Sequence, residues 1–318
     1  MVGVEVISDL IISSRRSAGE IGFGCGLFAR GAQSRAKERG YVFEELGSVG
    51  VWRGRGALSA QLAKTIESLG YGAIWIGGSP PSDLELVEDL LGATKSITVA
   101  TGIVNTWQDE AGLVAGSFHR IEARFPGRFL LGIGVGHPEA VSEYTKPFDN
   151  LTSYLDVLDQ NQVPVSRRVL AALGPKALRL SAERTAGAHP YLTTPEHTRR
   201  AREILGADIL LAPEQKVVVD TNADRAHALG RAAVKPYLGL RNYVNNLRWI
   251  GWSEDDVAGQ GSDELIDALA LQGDASSIAD RTRAHLTAGA DHVCVQLITE
   301  PNDDPVPGLA ALAERFFG

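Results

Sequence analysis

The chain is poor in cysteine, methionine and lysine: two cysteines, one methionine and seven lysines in 318 residues. Cys25 and Cys294 stand far apart, which excludes a disulfide framework and a paired-cysteine metal site. Such usage fits a reducing compartment, and a cytoplasmic location is expected. No run approaches the roughly 18 apolar residues of a membrane-spanning helix, so no membrane partner is expected. Positive charge is also short: 31 basic against 39 acidic residues, net −8, pI about 5.4. That speaks against a nucleic-acid partner. The seven histidines are dispersed, with no H-x-x-x-H or H-E-x-x-H spacing, so no metal is expected. A G-x-S-x-G elbow and a G-x-x-x-x-G-K-[ST] loop are missing too. What is present is apolar material for a large core, 44% of residues at a mean hydropathy of −0.04.

Residues 1–40 carry six basic and four acidic residues and seven glycines, without a period of 2 or 3.6. They read as an N-terminal extension, poorly ordered, with a short docked helix over 4–13 as the other reading. Val42 and Val49 are alternative start positions. Arg15-Arg16 suggests a twin-arginine signal, but Glu20 and the glycines interrupt the apolar segment such a signal needs. Residues 41–318 form one domain in which short apolar runs alternate with helical patterns. Strands are expected at 48–52, 73–76, 97–104, 128–135, 168–173, 187–192, 215–219 and 291–297. Helices are expected at 58–69, 84–93 (with Ser82 or Asp83 as N-cap), 109–125, 150–158, 175–184, 195–205, 222–234 and 276–288, and a last one ends at Phe317. Continuous apolar strands mean burial on both faces. Eight such units predict an α/β fold, a (β/α)8 TIM barrel with a helical insert at about 237–273 before strand eight. A doubly wound sheet is the alternative; Arg53-Gly-Arg-Gly56 after strand one lacks its G-x-G-x-x-G turn.

Barrel function lies at the C-terminal strand ends. In strand three, Gly102 marks either a bulge for a flat ligand or relief of crowding. Strand four carries Gly132, Gly134 and Gly136 on one face, leaving a slot for a planar ring, and runs into His137. His137 reads as a catalytic group or as a loop cap. After strand five, Gly174-Pro175-Lys176-Ala177 opens a helix whose free N–H groups suit an anion, or forms an ordinary turn. At strand six, His189 alone reads as a core histidine. Trp52 walls a ring pocket, whereas Trp75 reads as core. The run Arg241–Arg248, with Tyr243, either closes over a substrate or faces water. Glu254-Asp255-Asp256 reads as a helix start capped by Ser253.

Four segments carry a resemblance: Thr101–Asn105, Pro126–His137, Leu170–Leu178 and Gly289–Gln296. In this order they resemble the luciferase-like monooxygenase superfamily, and within it the deazaflavin (coenzyme F420)-dependent branch common in actinobacteria. The resemblance spans about Phe43 to Leu297. It implies a flavin-like ring against a bulge in strand three, with a cis peptide at Gly102–Ile103, and a cofactor phosphate on Gly174-Pro175-Lys176-Ala177. Asn105, Gly134, Gly136 and His189 join Gly102 and Ile103 as cofactor contacts on this reading. Trp52, Tyr191 and Tyr243 form the substrate pocket, and His137 is catalytic. The sugar-phosphate-oxidising relatives carry an acidic–histidine pair after strand two; here Gly77-Gly-Ser-Pro-Pro81 follows, so that substrate is not implied. The expected activity is hydride transfer between F420 and a small organic substrate. The alternatives are an FMN-dependent monooxygenase and a cofactor-binding protein without turnover. A homodimer is compatible with all three.

Overall fold

The computed structural model describes residues 45–136 and 146–318. The predicted extension and His137 lie outside the described residues. Eleven strands, all parallel, make the central sheet among the described residues. The first three are β1 (Val49–Gly54), β2 (Ala73–Gly77) and β3 (Thr98–Thr101), followed by β4 (Val104–Asn105), β5 (Phe129–Gly134), β6 (Arg168–Leu170) and β7 (Gly187–Ala188). Then come β8 (Leu210–Leu211), β9 (Glu214–Val219), β10 (Ala270–Gly273) and β11 (Val293–Leu297). Neighbours run β10-β9-β11-β1-β2-β3-β5-β6-β7-β8, with β4 also on β5.

The ring closes through residues 210–219. On one side, Ala212 N–H donates to Ala188 O and Glu214 N–H to Pro190 O. On the other, Asp291 N–H donates to Leu211 O and Cys294 N–H to Pro213 O. β8 and β9 are thus one barrel strand that pairs with β7 early and β11 throughout. β3 and β4 are likewise one strand, interrupted by the cis Gly102–Ile103 peptide. Eight barrel strands result.

Helices cover the outside: α1 (Ala60–Ser68), α2 (Glu85–Ala93), α3 (Ala111–Arg124), α4 (Pro147–Gln160), α5 (Pro175–Arg184) and α6 (Pro195–Leu205). After them come α7 (Ala223–Val234), α8 (Arg241–Trp249), α9 (Glu254–Val257), α10 (Asp263–Leu269), α11 (Ala275–Thr287) and α12 (Val306–Phe317). Proline opens α4, α5 and α6, where its missing N–H costs nothing and its φ is already helical. Ser59, Asn222, Ser262 and Asp274 cap their helices with a side-chain oxygen, and Ser253 forms a full capping box with Asp256. No helix among the described residues is long and apolar enough to cross a membrane.

Apolar side chains separate into three clusters. The largest lies between sheet and helices and includes Ile74, Ile76, Val99, Phe118, Phe129 and Leu155. The second fills the barrel with one large side chain, Trp75, among Ala73, Ala100, Ala186 and Ala212. The third joins the insert to Leu192 and contains Val234, Tyr243, Leu247 and Ile266.

The structure departs from the sequence reading at several points. The insert contributes a strand, β10, which pairs with β9 beyond the end of β7. Strand seven begins earlier, at β8. Strands five and six shorten to β6 and β7, because the chain beyond them turns into the cavity rim. Leu84, at φ 53, takes the N-cap position of α2 in place of Ser82 or Asp83; Asp83 still accepts from Glu85 N–H.

Candidate active site

A cavity of about 570 Å³ opens at the C-terminal strand ends. Its floor carries Trp52 from β1, Gly102, Ile103 and Asn105 from the interrupted third strand, and His189 just past β7. Tyr191, Tyr237 and Tyr243 form one wall, and Ala171 and Leu173 follow β6 into another. Arg55, Ser79, Gln108 and Asn242 stand among these groups as polar neighbours. The insert therefore closes over the barrel mouth, and α8 shows water one face while burying Tyr243, Asn246 and Leu247.

His189 is buried and stacks flat on Trp75, with ring centroids 4.1 Å apart and planes 18° from parallel. Its Nδ1 is 2.8 Å from Ala212 O, an atom that only accepts, so Nδ1 carries the hydrogen. Burial lowers its pKa to about 4, which keeps the ring neutral at pH 7. Nε2 is then an acceptor, and it has no hydrogen-bond partner among the described residues. Trp52 Nε1, a donor, has none either. Both flank Gly102: the position of a side chain there would be 2.9 Å from Trp52 Nε1 and 3.1 Å from His189 Nε2. Burying a polar atom without a partner is costly; both nitrogens are packed against Gly102, where even a Cβ would crowd them.

Below the tyrosine wall lies a buried ion pair. Lys216 Nζ is 3.1 Å from Glu214 Oε1, and both side chains are 1% exposed. The ammonium also rests 3.8 Å from the centre of the Tyr191 ring. Burial pushes Glu214 up and Lys216 down, and each charge opposes the shift of the other. Glu214 Oε2 accepts from Leu192 N–H, so the pair anchors the segment that bears His189 and Tyr191. The Tyr191 hydroxyl donates to Gln296 Oε1 and accepts from the Tyr237 hydroxyl, each 2.9 Å away.

Of the residues read from the sequence, Trp52, Gly102, Ile103, Asn105, Gly136, His189, Tyr191 and Tyr243 line this cavity together. Gly134 does not. The glycine face of β5 is occupied by the chain itself: a side chain on Gly132 would collide with Thr101 O, one on Gly134 with Ile103 and Ala171, and one on Gly136 with Asn105. The expected ring slot on that face is a correction; those glycines admit the third strand and its bulge. The α5 turn lies outside the cavity lining. Gly174 is extended, with open space beside it and no side-chain cap on the helix, so the first-turn N–H groups remain available. Lys176 Nζ lies 3.7 Å from the centre of the Phe148 ring, a cation–π contact that draws it to α4. His189 is a buried histidine, as the residue alone suggested, but one ring nitrogen is unsatisfied.

Sequence reasoning missed Tyr237, Glu214 and Lys216. The available signal was two opposite charges at i and i+2 of a strand otherwise buried on both faces, which puts them on one side. Trp75 is core, as expected, and donates from Nε1 to His292 Nε2 at 3.1 Å.

The luciferase-like monooxygenase family model matches residues 57–160. A search of curated proteins gives no match. Among solved structures, an F420-dependent secondary alcohol dehydrogenase, solved with an F420–acetone adduct, superposes with a TM-score of 0.67 at 14% identity. It covers 85% of this chain and 98% of its own. The coenzyme F420-dependent tetrahydromethanopterin reductase of Methanopyrus kandleri gives 0.62 at 16% identity, over 85% of this chain and 98% of that one. The oxygenating component of a Pseudomonas putida 3,6-diketocamphane monooxygenase, solved with FMN, gives 0.60 at 16% identity, over 84% and 96%. The chain is thus similar to the luciferase-like monooxygenase family in sequence over 57–160, and it shares that family's barrel fold over most of its length.

Proposed function

We propose that this protein is an oxidoreductase that binds a flat deazaflavin ring, coenzyme F420, at the barrel mouth and exchanges a hydride with a small organic substrate. The observation that carries the reading is the cavity at the C-terminal strand ends, walled by Trp52 and three tyrosines. The residues present fit such a ring. Aromatic side chains wall the cavity, and the uncapped start of α5 suits a phosphate.

When bound, the cofactor supplies the redox chemistry. The chain's own contribution is binding and exclusion of water. Gly102 and Ile103 form the backing surface, Trp52 and the tyrosines exclude solvent, and Gly174, Lys176 and Ala177 offer N–H groups to an anion. His189 presents a neutral acceptor nitrogen at pH 7. The likeness to two F420-dependent enzymes supports the choice of cofactor.

A second reading has its own support. The likeness to an FMN-bound monooxygenase component favours reduced flavin and oxygen. Titration of the purified protein with F420 and with FMN decides between them. Tighter binding of F420, with no oxygen uptake in the presence of reduced cofactor, is the expected result. Micromolar FMN binding without F420 binding reverses the choice, and no binding of either removes the reading.

A further inference from the structure

The rim of the cavity is polar on one side. Arg55 follows β1, Ser79 follows β2 and Gln108 follows β4, so three neighbouring barrel positions bring polar side chains to it. None of these side chains makes a hydrogen bond or an ion pair among the described residues. Ala171 and Leu173, which follow β6, face them with apolar surface. With His189 neutral, Arg55 is the one charged side chain among the described residues that line the cavity. Its stem is held beside Gly78, where a Cβ would lie 3.8 Å from Arg55 Cγ.

The surroundings of Arg55 limit the charge it can take. Its outer flank borders a separate groove that carries Asp83, Glu85 and Asp89. Burial pushes the Asp109 carboxyl up, and Arg55 is near enough to oppose that shift. One cation among these carboxylates leaves room for a single negative charge, and a doubly charged group meets repulsion. Position in the barrel decides which molecule brings that charge. Counted from β1 through β2, β3–β4 and β5, β6 is fifth of the eight barrel strands, so the start of α5 lies across the mouth from Arg55. A cofactor phosphate on α5 leaves the Arg55 side to the substrate.

Resting on the oxidoreductase reading, we propose that Arg55 holds the substrate's anion, and that the substrate is a singly charged organic carboxylate with an apolar body. The planar guanidinium matches a carboxylate with two parallel hydrogen bonds. The Ser79 hydroxyl and the Gln108 amide are further donors on the same side. Leu173 and the tyrosine wall receive the body.

The test uses three probes with one ring: cyclohexanecarboxylate, cyclohexanecarboxamide and cyclohexyl phosphate. Each is titrated calorimetrically at pH 8, with and without F420. The carboxylate should bind about five-fold more tightly than either of the others, the scale of one partly exposed charge pair. That preference over the amide should shrink as salt is raised. Arg55→Gln, at an exposed position, should keep the Tm and bring the carboxylate-to-amide ratio near one. The salt series on the unsubstituted protein decides the point if that variant does not fold. Equal affinities, no measurable carboxylate binding, a preference indifferent to salt, or one that survives Arg55→Gln overturns the proposal. Tighter binding of the phosphate overturns the substrate class. If Arg55→Gln weakens F420 binding as much as carboxylate binding, the cation serves the cofactor and the proposal falls. Failure of the cofactor reading is separately visible as no binding of F420 or FMN, while the carboxylate-to-amide ratio in the cofactor-free protein still decides the role of Arg55.

Discussion

His189 and His292 flank the same residue, Trp75, inside the same barrel, and differ in one hydrogen bond. Each is buried and neutral, and each donates from Nδ1 to a carbonyl, Ala212 O for His189 and Gly47 O for His292. Burial lowers the pKa of each to about 4. His292 then accepts the Trp75 indole N–H at Nε2, so every polar atom of the ring is paired. His189 meets Trp75 face to face, and its Nε2 lies beside Gly102 with no partner among the described residues. The chain completes one histidine by folding and leaves the other one hydrogen bond short. Closeness to the C-terminal strand ends decides which is which.

This contrast can be broken or sharpened in graded steps. The largest effect should come from the support under the functional end. Lys216→Met leaves Glu214 buried without its cation, and the expected loss is about 3–5 kcal/mol in denaturant unfolding. It should also loosen the segment bearing His189 and Tyr191. His292→Phe leaves the Trp75 N–H and the Gly47 carbonyl without partners. A loss of about 2–4 kcal/mol is expected in the same measurement.

Acid should act next. His189, His197, His285 and His292 are all held neutral by burial, with pKa values lowered to about 4, about 4, about 3 and about 4. Below the ordinary pKa near 6.5 the unfolded chain takes up protons that the folded chain refuses. Stability is therefore complete at neutral pH and falls as pH drops from about 6.5 towards 4. About 1–2 kcal/mol per imidazole is expected, seen as a decline in Tm over that window. A Tm that is flat from pH 7 to 4.5 contradicts the buried neutral assignment. The smallest change in stability belongs to His189→Phe, which frees Ala212 O but also removes an unsatisfied nitrogen. Unfolding should shift by about 1 kcal/mol or less, while ligand binding changes.

Legibility in the sequence follows the same divide. Helices α5 and α6 were predicted at their observed bounds, because proline at the first position and an apolar face mark them locally. β10 was not, because Ala270–Gly273 follows α10 with no turn signal and becomes a strand only by pairing with β9. Within the site, Trp52 and Tyr191 were legible as aromatics at strand ends. The cavity role of His189 was not legible from the residue alone: whether its second nitrogen is paired depends on where Trp75 presents its face and where its edge. Gly132, Gly134 and Gly136, in and just past β5, misled for a similar reason. A missing side chain announces a close approach without saying what approaches, and here it is the neighbouring strand.

The most direct test of this account is the ¹⁵N spectrum of the two imidazoles at pH 7. Both rings should be neutral Nδ1–H tautomers. His292 Nε2, which accepts the Trp75 N–H, should resonate upfield of His189 Nε2, which has no donor among the described residues. If the two Nε2 resonances coincide, or either ring is protonated, the distinction between a histidine completed by the fold and one left a hydrogen bond short is wrong.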